Sequence, residues 1–428
     1  QAARGGAAGR RGGAHRPRRV PRAEAPAGRR MAPLVGSPHK RTASLGQITY
    51  IPDKASQKVA AAAGFVLGGG DSAAGPLAAQ QRASQVSAQL RAISLEYSQC
   101  DLAGATSNWH PSKKLGTGCY GAVYQGELKD GSEVAIKAID LGAMMGKGES
   151  PEDAGFDEEV QMLSRFRHPN LVTLLGWGQQ GLKRYLVYEF LAGGDIFQRL
   201  WRARQPTGPL FHWHERLSVC QDAATGLSHM HNATPKAFHR DIKSANILLD
   251  RHGTAKMADF GLSCCSAQAG HDHVTVKTIS GTPGYKCPVY ERTGRFTEGS
   301  EVYSFGMVML EVLTGLNPSA ADAKAPGGIA FPVEERLAPQ QPGAIDRCCR
   351  ALDACASWPA QLGAEFGTLA LRAVHAHDER SRPVFVEVVR SLRSMAARNP
   401  PGAAAAPLQT AQRGPAAQED IPDLMLRR

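Results

Sequence analysis

His239-Arg240-Asp241-Ile242-Lys243-Ser244-Ala245-Asn246, with Asp259-Phe260-Gly261 starting thirteen residues after Asn246, decides how this chain reads. Between the two stretches the apolar run Ile247-Leu248-Leu249 reads as a strand, His252-Gly253 as a turn and Lys256-Met257-Ala258 as a second strand. Such a hairpin sets Asp241 and Asn246 at one lip of a cleft and Asp259 across from them. Asp, Asn and Asp are hard-oxygen groups suited to Mg²⁺, which takes few protein oxygens and completes its shell with water and substrate phosphates. The bland alternative is a metal-free hairpin with incidental carboxylates. Either stretch alone arises by chance, but the pair at this spacing is much harder to obtain.

Upstream, Leu115-Gly116-Thr117-Gly118-Cys119-Tyr120-Gly121-Ala122-Val123 is a G-x-G-x-x-G-x-V loop between strand-like segments. Dinucleotide folds share the glycine spacing but need a helix directly after it, and Val123 to Leu128 reads as a strand instead. Lys129-Asp130-Gly131 turns the chain into Glu133-Val134-Ala135-Ile136-Lys137. Glycines suit a phosphate loop because backbone N–H groups can approach the ligand without a Cβ in the way. The Gly142–Lys147 stretch lacks the spacing of a Walker A loop. Ser150-Pro151-Glu152-Asp153 carries the marks of a helix start, and Phe156, Val160 and Leu163 follow at helical spacing. Glu159 lies on their inward edge, while Glu158 points outward.

Together these stretches resemble the eukaryotic protein kinases, with their catalytic loop, D-F-G, Gly-rich loop and V-A-I-K strand. The resemblance covers residues 108–398 and implies an α+β, two-lobed protein kinase fold, a small β-rich N-lobe (108–191) and a larger helical C-lobe (192–398). It implies ATP and Mg²⁺ as cofactors and transfer of the γ-phosphate to Ser/Thr hydroxyls of protein substrates. Asp241 would accept the hydroxyl proton, Asn246 and Asp259 would hold Mg²⁺, and Lys137, paired with Glu159, would reach the α/β-phosphates. Leu115, Gly116, Gly118, Gly121, Val123, Ala135 and Leu248 would line the nucleotide site. By the same resemblance Tyr188 is the gatekeeper, and Glu189-Phe190-Leu191 is the hinge whose backbone meets the adenine edge.

The chain is most similar to the receptor-like, Pelle and interleukin-receptor-associated kinase group, on Phe238 to Asp250, Gly281-Thr282-Pro283-Gly284-Tyr285 and Val302-Tyr303-Ser304-Phe305-Gly306. Lys243 would contact the transferring phosphate, and Thr282 would lie against Asp241. Arg240 implies regulation by activation-loop phosphorylation, by an upstream kinase or by a second copy in trans, with Thr275, Thr278 and Ser280 as candidates, Thr278 or Ser280 favoured. Two departures stand out. The family's Pro-Glu reads Pro288-Val289 here, which leaves Arg382 to find another acceptor, Glu291 being the candidate, or to turn to solvent. The family's helix-F Asp is Glu301. A pseudokinase scaffold is the rival reading, with the intact Lys137, Glu159, Asp241, Asn246 and Asp259 against it.

The formal net charge of +11 misleads as an average. Residues 1–107 hold 15 Lys/Arg against 5 Asp/Glu, and the whole excess falls within the first 50, so the remainder is close to neutral. Residues 1–50 are Arg, Gly, Ala and Pro, too polar to support a core. Three readings of them stay open: a disordered basic arm touching nucleic acid or anionic membrane, an organelle transit segment, or a leader before Met31. Residues 51–107 read as a linker with one short helix around Gln80–Tyr97, and 399–428 as a disordered tail. Leu369–Met395 reads as the closing helical bundle. The nine cysteines show no C-x-x-C, which argues against zinc and disulfides and for a reducing compartment, read as cytoplasmic. The His271/His273 and His375/His377 pairs read as loop and helix-end residues rather than ligands. No apolar run is long enough to span a membrane. The first residue is Gln, which leaves room for sequence before it.

Overall fold

The computed structural model of this protein describes residues 95–118, 121–145, 155–266, 271–276 and 278–400. The basic arm, most of the 51–107 segment, the loop tip Cys119-Tyr120, the helix-start signal at Ser150–Asp153 and the 401–428 tail lie outside them.

The small lobe is a six-stranded sheet. Its strands are β1 (Leu95–Glu96), β2 (Lys114–Gly118), β3 (Gly121–Glu127), β4 (Glu133–Asp140), β5 (Leu174–Gln180) and β6 (Lys183–Glu189), in the spatial order β1-β5-β6-β4-β3-β2. β-branched and apolar residues on β4 alternate inward, so Val134 and Ile136 are fully buried on one face while Ala135 and Lys137 turn to the other. Antiparallel register then brings Val123 opposite Lys137, and Ala135 opposite Tyr188.

The fold starts earlier than the linker reading allowed. β1 pairs in parallel with β5, and helix α1 (Gln99–Ala105), capped by Ser98, drops Leu102 against Val134, Ile136, Tyr185 and Val187. Trp109 stacks on Tyr185 with centroids 5.3 Å apart. A seven-residue helix offers too few turns for its periodicity to register against an Ala/Gly/Ser background, so only its packing reveals it.

On the sheet's other face lie α2 (Leu141–Met145) and α3 (Phe156–Arg165). Helix α3 begins at Phe156, after Gly155 in a left-handed conformation with φ 64°. A Cβ on Gly155 would stand 2.0 Å from the carbonyl oxygen of Gly261, so this glycine lets the helix start touch the Asp-Phe-Gly segment.

The large lobe is built from α4 (Ile196–Ala203), α5 (Trp213–His231), α6 (Pro288–Thr293), α7 (Glu298–Thr314), α8 (Pro332–Leu337), α9 (Ala344–Arg350), α10 (Ala360–Ala373) and α11 (Phe385–Arg398). Asp195 caps α4 by accepting the Gln198 N–H at 2.8 Å, and Ile196 and Leu200 go inward while Trp201 stays 40% exposed, off the buried face. Helix α7 is buried from Ser300 to Thr314, as a helix apolar all round must be. Arg216 of α5 is wholly buried among these helices, its guanidinium donating to Phe211 O, Val312 O and Asp353 Oδ2 at 2.7–2.8 Å. The hairpin expected between the two lead motifs is present as β7 (Ile247–Leu249) and β8 (Ala255–Met257), the second strand one residue earlier than read.

Candidate active site

The loop from His239 to Asn246 is held from three sides. His239 is buried, with Nε2 at 3.0 Å from Ala258 O and Nδ1 accepting the Asp241 N–H at 3.3 Å, which requires the Nε2–H tautomer. Arg240 has φ 71° and Asp259 φ 63°, backbone conformations that non-glycine residues hold only when the surroundings impose them. For Arg240 the restraint is Glu301, fully buried at the start of α7: its Oε1 accepts the Arg240 N–H at 2.6 Å and its Oε2 lies 2.6 Å from His231 Nε2. The extra methylene of Glu301 therefore spans from α7 to both the loop and the end of α5. Sequence reasoning missed His231, which no motif marks.

The Asp241 carboxylate is the centre of the cluster. Oδ1 accepts from Thr282 Oγ1 at 2.7 Å, and Oδ2 accepts from Lys243 Nζ at 2.7 Å and Asn246 Nδ2 at 3.2 Å. Lys243 also donates to Thr282 Oγ1 at 3.1 Å, closing a ring of three side chains. Below it, Ser244 Oγ and Tyr285 OH donate to the buried carboxylate of Glu311 at 2.9 and 2.7 Å. Burial pushes Glu311 up to about 8, against the pull of those two donors.

Across the cleft, Lys137 Nζ donates to Glu159 Oε2 at 2.6 Å and to Asp259 Oδ1 at 3.0 Å. Glu159 is 1% exposed, so α3 turns that glutamate inward, as its helical phase indicated. Lys137 beside Asp259 holds that carboxyl down to about 2, against burial; the carboxylate keeps half its surface open to the cleft. Burial works against the charge on Lys137, but Asp259 and Glu159 outweigh it and hold the ammonium well above its ordinary range.

Around this pair stand the remaining residues singled out from the sequence. Gly116 and Gly118 of β2 pair with Val123 and Gly121 of β3, and Leu115 is 44% exposed. A Cβ on Gly116 would meet no protein atom within 4 Å, so the space over the loop is open. Ala135, Tyr188 and Leu191 sit on β4, β6 and the chain just after it, and Leu248 on β7. Tyr188 is 7% exposed, and burial beside Glu159 holds its hydroxyl well above the ordinary tyrosine range, so it stays protonated. Glu189 sends its carboxylate to Lys256 at 2.8 Å and to the Thr173 N–H at 2.8 Å, leaving only its backbone for any ligand in the cleft.

Two hard-oxygen side chains, Asn246 and Asp259, face this space, and each keeps an oxygen the bonds above do not use. That donor set fits Mg²⁺, which takes one or two protein oxygens beside phosphates. No cluster of three or more His, Cys, Asp or Glu suited to a metal occurs among the described residues.

Arg382 departs from the sequence reading. Glu291 pairs with Lys286 at 3.0 Å, and Arg382 neither meets it nor turns to solvent. Arg382 is 5% exposed, its guanidinium donating to His375 O and Gly299 O at 2.8 and 2.7 Å and lying 3.1 Å from Cys287 Sγ. Glu379, one helical turn earlier, supplies the nearest carboxylate at 3.7 Å. Glu379 also accepts from Ser300 and Thr297 at the start of α7, so charge lost at Val289 is replaced from the segment that carries Arg382 itself.

The protein kinase domain family matches residues 109–331, more than half of the chain, and the chain belongs to that family. It is 41% identical over 223 residues to the proline-rich receptor-like protein kinase PERK3 of Arabidopsis thaliana, covering 52% of this chain and 41% of that one. It is 39% identical over 229 residues to the probable serine/threonine-protein kinase PBL22, covering 53% and 58%, and 41% identical over 230 residues to the serine/threonine-protein kinase PBS1, covering 53% and 48%, both from the same plant. The aligned region thus spans about half the length of these relatives. No helix among the described residues is long and apolar enough to cross a membrane.

Proposed function

We propose that this chain transfers the γ-phosphate of ATP to Ser or Thr hydroxyls of proteins. The observation that carries the reading is the ring of Asp241, Lys243 and Thr282 facing an assembled Lys137–Glu159–Asp259 set. Asp241, oriented by Thr282 and Asn246, accepts the hydroxyl proton. Lys243, 2.7 Å from Asp241, places a cation where negative charge develops on the transferring group. Lys137, locked by Glu159, holds the α/β-phosphates, and Val123, Ala135, Leu191 and Leu248 enclose the base beside the hinge backbone. Asn246 and Asp259 would hold Mg²⁺, which would supply neutralisation of the phosphate charge.

The test is transfer of labelled γ-phosphate by the full chain with Mg²⁺, against the Asp241→Asn variant. Label on the wild type and a loss of about 10²-fold or more in the variant support the reading. No label on either, with ATP still bound, replaces it by a nucleotide-binding scaffold.

Regulation belongs to the same reading. Arg240 Nη1 reaches Leu262 O at 3.1 Å while its buried Nε has no hydrogen-bond partner among the described residues. Thr275 and Thr278 are exposed and Ser280 is half-buried, its N–H donating to Tyr290 OH. A phosphate on Thr278 or Ser280 gives Arg240 an anion to pair with. Mass spectrometry of active protein with none of the three modified would overturn this.

A further inference from the structure

A groove of about 500 Å³ runs between α5 and α11, with His168 at its edge. It plays no part in phosphate transfer as read above. Arg390 and Arg393, exposed and three residues apart on α11, form one wall. His229 of α5 stacks on His168 across from them, ring centroids 5.0 Å apart. Val386, 40% exposed, and Val389 line the same space. No carboxylate among the described residues lines it.

The charge pattern is unusual for this face. Arg372 and Arg398, the neighbouring arginines of α10 and α11, are paired with Glu387 and Glu365. Arg390 and Arg393 have no such partner among the described residues, although like charges three apart on a helix repel. An anionic, partly apolar occupant removes that repulsion and covers Val386.

The chain carries a segment with this chemistry. Glu419-Asp420-Ile421-Pro422-Asp423-Leu424-Met425-Leu426 has three carboxylates and four large apolar side chains, and Arg427-Arg428 follow it directly, so the ten residues carry a net charge of −1 with the acids at the near end. Outside the described residues no other stretch combines the two. Twenty residues, 399–418, separate it from the end of α11, a contour that extends to about 66 Å at most. Arg393 lies five residues before that helix end, about 8 Å along the axis. The reach is ample.

We propose that residues 419–426 dock in cis into the α5–α11 groove, with the carboxylates against Arg390 and Arg393 and the apolar side chains on Val386 and Val389. The inference stands apart from the phosphotransfer reading and is tested without it.

The test places the photo-crosslinker p-benzoylphenylalanine at Leu424 of the full chain and maps the products by mass spectrometry. Cross-links within one chain to residues 228–232 and 386–393 are expected. The paired change Arg390→Glu and Arg393→Glu should lower them about fivefold, the scale of one or two exposed ion pairs. In 1 M salt, where the Debye length is about 3 Å, they should fall likewise. Adding Glu419→Lys, Asp420→Lys and Asp423→Lys to the reversed groove should restore them. Cross-links scattered elsewhere, cross-links insensitive to charge reversal, or cross-links formed between two copies would each overturn the proposal.

Discussion

Lys137, Asp259 and Glu311 show how burial and neighbours divide the ionisable groups of one cleft. Asp259 is kept charged by Lys137, whereas Glu311, with hydroxyl donors and no cation, is kept neutral by burial up to about 8. The two groups give stability opposite pH dependences. A carboxyl lowered in the fold contributes stability above its ordinary value of 3.8, lost as pH falls towards 2 for Asp259. A raised carboxyl does the reverse, so Glu311 costs stability progressively as pH rises from 4.5 to about 8. Glu311→Gln keeps a neutral side chain between Ser244 and Tyr285. Thermal midpoints across pH 5–8 should therefore decline for the wild type, by at most ~1.4 kcal/mol per pH unit from this group. They should decline less for the variant. Parallel curves would show that Glu311 is ionised throughout.

Helix ends do the positioning at the scale of elements. The start of α7 presents Glu301 to the catalytic loop and Ser300 to Glu379, while the start of α3 rests on Gly261. Gly155→Ala adds a Cβ 2.0 Å from Gly261 O at a residue with φ 64°, so α3 must shift. Glu159 then leaves Lys137, and phosphotransfer is expected to fall about tenfold or more with the fold intact; unchanged activity would mean α3 is not coupled to Asp-Phe-Gly through this contact. Arg382→Ala removes a buried donor to two carbonyls and a cation 5.1 Å from the Tyr303 ring. It should cost about 3 kcal/mol in urea unfolding. If Val289→Glu in the same background recovered nothing while Val289→Glu alone stabilised the protein, Arg382 would have a carboxylate site it does not now fill.

At the scale of the whole molecule, the small lobe has two apolar layers, and the second depends on residues 95–109. Leu102, fully buried, fills the centre of that layer beneath Trp109 and Tyr185. Leu102→Ala should lower stability by about 3 kcal/mol, measured by denaturant unfolding with unchanged m-value. A loss under about 0.5 kcal/mol would return the segment to the status of a linker.

The catalytic loop, the Asp-Phe-Gly stretch, the Gly-rich loop, Lys137 and the helical phase of Glu159 were legible in the sequence, because each is a local pattern of residue type and spacing. With them came the fold class and helices as long as Trp213–His231, whose boundaries the structure matches. Short elements without periodicity, β1 and α1, were not legible, since their stability comes from the sheet they cover. The partner of Arg382 was not legible either. Charge alone pointed to Glu291, but Lys286 takes that carboxylate, and Arg382 binds carbonyls, Cys287 and Glu379 that meet only after the helices pack. Burial and partnership of polar groups depend on contacts between residues far apart in the chain, here 231 with 301 and 287 with 382. Only the tertiary structure decides those.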